Sequence, residues 1–385
     1  MQHTIEFHDI TYATDGTLSC TIERTEPADL HIKLPFHAQL DHQTIALALA
    51  TLCGTHYDAI RIDLPLGPQT KNTIQTHTKA SLTCRDGADT VVRPGSSTAL
   101  NFSGGFDSLA ALALLDNPEL VSLDFGGRFD RERKFFNRFN PHIIETNLVD
   151  LGLNRNSWQF MGIGTILLRN ELNIRHYSFG SIMAGSLARL ISGPQDQYHT
   201  GLWTNRALAT RRLNPVAGIS EIGSLRIVVQ NYPQLLIDAL SSVANPKEDK
   251  YTRKTQMLRA VCKDVGVPIE IPKQEQSIRK LRWGQSLATD LSSIYVMTKL
   301  GVSEVAETYE NGIPDAIADT ISDLNLDFYT RFNPHAYTGI PSDLKSMLFG
   351  KLISRGFEPF YRHDWDHARR VLDLITESPS TETQP

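Results

Sequence analysis

The 385 residues carry 43 acidic against 38 basic side chains, a formal net charge of −5, which argues against a general nucleic-acid coat but leaves room for a local basic strip. Hydrophobic residues at 41% and charged residues at 21% suit a globular chain long enough for two or three domains, and no long apolar run marks a membrane span. The opening residues lack the basic-then-apolar order of a secretory signal, and Cys20, Cys53, Cys84 and Cys262 form no CxxC pair, so a cytoplasmic protein with reduced, buried or neutral thiols and no zinc is expected.

Residues 1–96 read as a small α+β domain. Ile5 and Phe7, and later Leu30, Ile32 and Leu34, alternate with polar neighbours at the period of a half-buried strand. The string at 44–53 suits a short buried helix and 59–62 another strand, after which Pro65, Gly67 and Pro68 punctuate a turn. Pro94 and Gly95 interrupt both periods, marking a boundary before a second domain over 97–270.

That second domain opens with a short apolar strand at 99–102, then Ser103-Gly104-Gly105-Phe106-Asp107-Ser108, then a strong helix-forming run at 109–115. Strands at 120–124, 142–145 and 176–179 alternate with helices at 131–139 and 158–172. This alternation predicts an α/β fold with a doubly wound parallel sheet. A helical region follows over 271–376, with a polar, disordered tail at 377–385. Arg-Phe-Asn-Pro-His occurs twice, at 138–142 and 331–335, but the flanks differ and no internal repeat follows from it.

The turn at 103–108 carries the chemistry. A glycine pair between strand and helix lets the backbone approach a ligand closely, and a helix N-terminus favours a phosphate. Ser103 and Ser108 add hydroxyls, while Asp107 would repel phosphates unless Mg2+ bridges them. A plain strand-to-helix turn with a capping Asp or Ser is the competing reading. No GxxxxGK[ST] string exists in the chain, which removes the Walker A alternative.

Ser-Gly-Gly-x-Asp-Ser after a strand resembles the signature of the PP-loop (N-type) ATP pyrophosphatases. Two further stretches are similar to the 7-cyano-7-deazaguanine synthase (QueC-like) family: Asp124-Phe125-Gly126-Gly127-Arg128 followed by Glu132, and Arg155-Asn156 followed by Phe160, with Gly180-Ser181 beyond the next strand. The resemblance covers 99–190, and implies an adenine nucleotide α-hydrolase-like core that binds ATP through Ser103, Gly104, Gly105, Phe106, Asp107, Ser108, Asp124 and Gly180. It implies that Asp107 holds Mg2+, that Asp124 contacts adenosine, and that Asp107, Ser108, Arg128 and Lys254 serve catalysis. Lys254, in a loosely matching helical stretch before Gly266, would stabilise charge on the leaving pyrophosphate. Arg155 and Asn156 would recognise the substrate. Competing readings are a strand-end aspartate at 124, a solvated Arg128, helix capping by Asn156 or Ser157, and a salt-bridged Lys254. Arg206, Arg211, Arg212 and the basic run from Arg279 to Arg282 read either as a lid or, more often for such runs, as solvated faces.

The activity implied is adenylation of a carboxylate, plausibly a 7-deazaguanine carboxylic acid, with release of pyrophosphate and attack by ammonia or an amine. Two departures separate the chain from that family: no cysteine follows Cys262 where the family binds zinc, and the N-terminal region is extra. His363, Asp364, Asp366 and His367 are the one place to seek a substitute metal site, though a capped, exposed helix start is the commoner meaning of such a string. Alternatives are a defence-locus relative that conjugates its substrate to a macromolecule, a tRNA-modifying PP-loop enzyme, and a non-catalytic ATP-binding adaptor. Small-molecule substrate and ATP are the expected partners, with a protein partner for the N-terminal region and a homodimer both left open, and no membrane.

Overall fold

The computed structural model describes residues 3–183, 196–246, 248–268, 271, 280–310 and 312–377. Contacts divide the chain into two compact units. The first comprises Met1–Ser103, Asn117–Phe179 and Tyr198–Leu213, the second Gly104–Asp116, Gly180–Gln197 and Asn214–Pro385.

The first unit is built on one ten-stranded, mostly parallel sheet, which makes the protein α/β. Its strands are β1 Thr4–Tyr12, β2 Thr17–Glu23, β3 Ala28–Lys33, β4 Ala59–Leu66, β5 Ser81–Asp86, β6 Ser97–Asn101, β7 Glu119–Asp124, β8 His142–Thr146, β9 Ile174–Ser178 and β10 Arg211–Arg212. They lie in the order β10-β9-β6-β7-β8-β3-β2-β1-β4-β5. The five strands from β10 to β8 are parallel to their neighbours. β3 then joins β8 antiparallel, with Ile32 opposite Thr146 and Lys33 opposite Glu145. The residues expected as a separate domain over 1–96 therefore continue the sheet of the strands that follow them. The reason is a ladder: backbone groups along β8 that would form a free edge are paired instead with β3.

Alternation explains the N-terminal strands. Ile5 and Phe7, Leu18, Cys20 and Ile22, and Leu30 and Ile32 are all buried, while Glu6, Ser19, Thr21 and His31 face away. One apolar face packed and one polar face outward is the usual state of antiparallel strands. Helix His42–Ala50 lies against β4 and against helix Ile163–Leu167. It begins where Asp41 accepts the Thr44 N–H at 2.7 Å, a side-chain N-cap. β5 goes unmarked in the sequence, because the polar string Ser81–Asp86 offers little apolar alternation; β2 alternates as its neighbours do, with Leu18, Cys20 and Ile22 inward.

Two expected helices are shorter than their strings. The helix at 131–139 runs Asp130–Phe136 and tightens into a 3-10 turn at Asn137–Phe139. The helix at 158–172 is a 3-10 segment, Trp158–Gly162, followed by Ile163–Leu167. In the second of these, a Cβ on Gly164 would sit 2.5 Å from Ile144 Cδ1 and 2.8 Å from Val121 Cγ1, so the segment presses directly onto the sheet. Cys20, Cys53 and Cys262 are buried and all four cysteines are free thiols; burial pushes Cys20 up to about 12, keeping it neutral.

The named elements of the second unit, among the described residues, are helices. Phe106–Leu114 packs on Glu221–Asn231, which packs on Asp249–Val265, which in turn meets Leu287–Leu300. The tail expected to be disordered from 377 lies, beyond that residue, outside the described residues. In Leu287–Leu300, the nearly inaccessible Asp290 accepts the Gly284 N–H and the Tyr309 hydroxyl, each at 3.0 Å. Burial pushes its carboxyl up to about 6 from an ordinary 3.8. Between those values the folded chain holds a proton that the unfolded chain has lost, so stability falls as pH rises, by about 3 kcal/mol across the window. Asp290→Asn removes that penalty. Its melting temperature should gain on the parent's as pH rises from about 4 to about 7, and a difference independent of pH would contradict the assignment.

Candidate functional site

The turn at 103–108 begins at the end of β6. Phe102 prolongs the strand, donating its N–H to Val121 at 2.8 Å and accepting the Ser122 hydroxyl at 2.6 Å through its carbonyl. Ser103 is exposed, and the division between the two units falls between it and Gly104. Gly104 has φ of +75°, a left-handed conformation that a side chain would resist. Gly105 is extended and begins helix Phe106–Leu114 without contributing a side-chain cap. The buried Ser108 turns its hydroxyl back onto the Gly105 carbonyl at 2.9 Å. Asp107 stands in the first helical turn, where the helix dipole favours negative charge. Gly180, with φ of +63°, lies so close to this helix start that a Cβ there would be 2.9 Å from the Asp107 carbonyl oxygen and 3.1 Å from Ser108 Cα. The glycine expected after β9 is thus the one that permits close backbone approach to the turn.

Within the second unit the side chains of Asp107 and Lys254 belong to one cluster. Ser224 donates its hydroxyl to Asp107 Oδ1 at 2.7 Å. Lys254 Nζ is 2.7 Å from Glu221 Oε1 and stands 5.6 Å from the centroid of the Phe106 ring. Burial pushes the Asp107 carboxyl above its usual range and Glu221 adds to this, while Lys254, the Ser224 hydroxyl and Lys250 oppose it. Burial alone would lower Lys254, but the charges of Glu221 and Asp107 outweigh it and the net direction is up. The ammonium is therefore held charged by the acids near it, a state suited to electrostatic stabilisation of phosphate oxygens.

Sequence reasoning singled out Asp107 and Lys254 and missed Glu221 and Ser224. The available signal was slight: Ser224 is a hydroxyl among Ile222, Leu225, Ile227 and Val228, three residues after an acid.

Other expected site residues have structural employment in the first unit. Asp124 is 4% exposed; Arg133 Nη1 lies 2.7 Å from its Oδ2, and the Gly126 N–H donates to its Oδ1 at 2.9 Å. Both oxygens are engaged in closing the strand end, which favours the strand-end reading over an adenosine contact. Arg128 lies in the 3-10 turn Gly127–Phe129, and its side chain falls outside the described residues. Asn156 donates to the Leu52 carbonyl at 3.0 Å and the Tyr57 hydroxyl at 3.3 Å, bracing the end of the first helix. Arg155 beside it is exposed. Arg211 and Arg212 form β10, and Arg206 is exposed. Arg282 pairs with Glu310 at 2.7 Å, whereas Arg279 lies outside the described residues.

In the second unit, Asp364 has no exposure and binds Arg331 Nη1 at 2.7 Å and the Tyr361 N–H at 2.7 Å. One acid of the His363–His367 string is thus committed to Arg331 and to the helix start. Among the described residues no group of three or more His, Cys, Asp or Glu side chains is placed to hold a metal ion, and no helix is long and apolar enough to cross a membrane. Comparison with family models, with curated proteins and with solved structures finds no match to this chain.

Proposed function

We propose that this protein is an ATP-using, AMP-forming enzyme of the PP-loop type, and that it adenylates a carboxylate. The observation that carries this reading is one cluster at the first turn of the helix that follows Ser-Gly-Gly, where Ser224 holds Asp107 and Lys254, distant in sequence, pairs with Glu221 near the Phe106 ring. Strand order supports it. β6 and β9 are neighbours, with β7 and β8 to one side and β10 to the other, so the winding of the parallel strands reverses between them. In open α/β sheets, ligands bind beyond the carboxyl ends of the strands at such a reversal. The turn at 103–108 follows β6, and Gly180 follows β9. We read this part of the sheet as doubly wound and adenine nucleotide α-hydrolase-like.

The donor set fits ATP with Mg2+. A carboxylate at a helix start, with backbone N–H groups beside it, suits a hard cation that neutralises phosphate charge; Asp107 would hold it. Gly104 and Gly105 let the backbone cradle the pyrophosphate, with the Ser108 hydroxyl alongside. Lys254, kept protonated, stabilises the charge that grows on pyrophosphate as it leaves. A carboxylate oxygen of the substrate attacks the α-phosphorus, the bond to pyrophosphate breaks, and an acyl adenylate forms. Ammonia or an amine then adds to the acyl carbon and AMP departs.

The test is product analysis with ATP, Mg2+ and 7-carboxy-7-deazaguanine, with and without ammonium. AMP and pyrophosphate that depend on the acid are the expected result. Their release independent of the acid would keep the ATP chemistry and move the acceptor elsewhere. Release of neither product under any condition overturns the proposal.

A further inference from the structure

We infer that helix Glu221–Asn231 is the positioning element of this site, with Glu221 fixing Lys254 and Ser224 fixing Asp107. The inference rests on the ATP-site reading above and adds the residues that hold its two charged groups in place. Glu221 and Ser224 are three apart and share one helix face. Through that face each reaches a different partner: Glu221 Oε1 the Lys254 ammonium at 2.7 Å, and the Ser224 hydroxyl Asp107 Oδ1 at 2.7 Å. Lys254 comes from helix Asp249–Val265 and Asp107 from helix Phe106–Leu114, so one helix sets two side chains borne by two others.

The helix is itself well anchored. The Ser220 hydroxyl accepts the Gly223 N–H at 3.0 Å and donates to the Tyr329 carbonyl, tying the helix start to a separate segment. Gly223 allows close packing, since a Cβ there would meet Ile219 Cγ2 at 2.6 Å. Ile222, Leu225, Ile227 and Val228 have no exposure. A long, flexible lysine gains from such support: the Glu221 carboxylate on one side and the Phe106 ring near its ammonium restrict it before any phosphate arrives. Ser224 likewise restricts the Asp107 carboxylate through one of its oxygens.

The two positioning residues act on different partners, so they separate kinetically. In the full-length protein, kcat, KM for ATP and the Mg2+ concentration for half-maximal AMP release are measured for the parent, Glu221→Gln and Ser224→Ala. Glu221→Gln should lower kcat by about 10–100-fold with KM for ATP little changed, because the lysine is still present but no longer held. Ser224→Ala should raise the Mg2+ requirement several-fold, with kcat approaching the parent's at saturating Mg2+. A merely structural role would lower the melting temperature of both variants and produce neither signature. Should either variant fail to fold, Glu221→Asp, which keeps the charge and draws it back by one methylene, should show a smaller fall in kcat. Parental kcat in the Glu221 variants, or a parental Mg2+ requirement in Ser224→Ala, overturns the inference alone. A parent that releases no AMP overturns the ATP reading and the inference with it.

Discussion

Asp107→Ala abolishes Mg2+-dependent release of AMP and pyrophosphate while leaving the fold intact. The loss should be on the order of a thousandfold or more, because the substitution removes the site's proposed cation ligand and its contribution to charge stabilisation. The stability side follows from the titration of this group. Burial raises the Asp107 carboxyl above its ordinary value, so folding favours the neutral form, and at neutral pH the ionised group weighs against the folded state. Removing the charge relieves that cost, while Lys254 keeps Glu221 as a partner at 2.7 Å. The expected melting temperature at pH 7 is therefore equal to or above the parent's, the usual relation between a buried functional charge and stability. Asp107→Asn keeps the shape, and its side-chain oxygen can still accept the Ser224 hydroxyl; it should be as inactive as the alanine variant. AMP release at the parental rate by either protein would remove the central claim of the ATP reading.

What the sequence makes legible here is local, and what it hides is tertiary. The strand, the double glycine and the helix around 99–115 are written in composition, and the structure has β6 at Ser97–Asn101 and the helix at Phe106–Leu114. Alternation likewise announces Ile5, Phe7, Leu30 and Ile32 as buried. Nothing in the periodicity of β3 or β8 says that they pair, because strand pairing across more than a hundred residues depends on which edges meet. That silence is why residues 1–96 read as a separate domain. The same limit governs the site. Asp107 is visible through its motif, but Glu221 and Ser224 matter only through contacts with Lys254 and Asp107, and no spacing within helix Glu221–Asn231 announces them. Asp124 shows the converse: a residue singled out by position turns out to have both oxygens engaged, by Arg133 and by the Gly126 N–H.

Lys254→Met should cost both activity and stability, and the two losses should part company in a double variant. The lysine side chain is 12% exposed and pairs with a Glu221 that is 22% exposed, so its removal leaves Glu221 and Asp107, both acidic, without the cation near them. Breaking a buried pair by deleting one partner costs about 3–5 kcal/mol, and residual solvent access places this pair at about 3 kcal/mol. The Lys254 ammonium has its pKa raised above the ordinary 10.5, so its contribution is fully present below that value and is lost only as pH climbs through the higher folded value. Urea unfolding at pH 7 should therefore register the whole loss, and the gap between variant and parent should narrow only in strong alkali. Glu221→Gln added to Lys254→Met removes one of the stranded charges and should recover much of the lost stability. It cannot recover AMP release, since the cation facing the leaving pyrophosphate is still missing. A double variant no more stable than Lys254→Met would mean that the pair is a surface contact of little energy. A Lys254→Met protein that turns over ATP like the parent would assign the lysine a structural role alone, leaving the charge on pyrophosphate to be met by other groups.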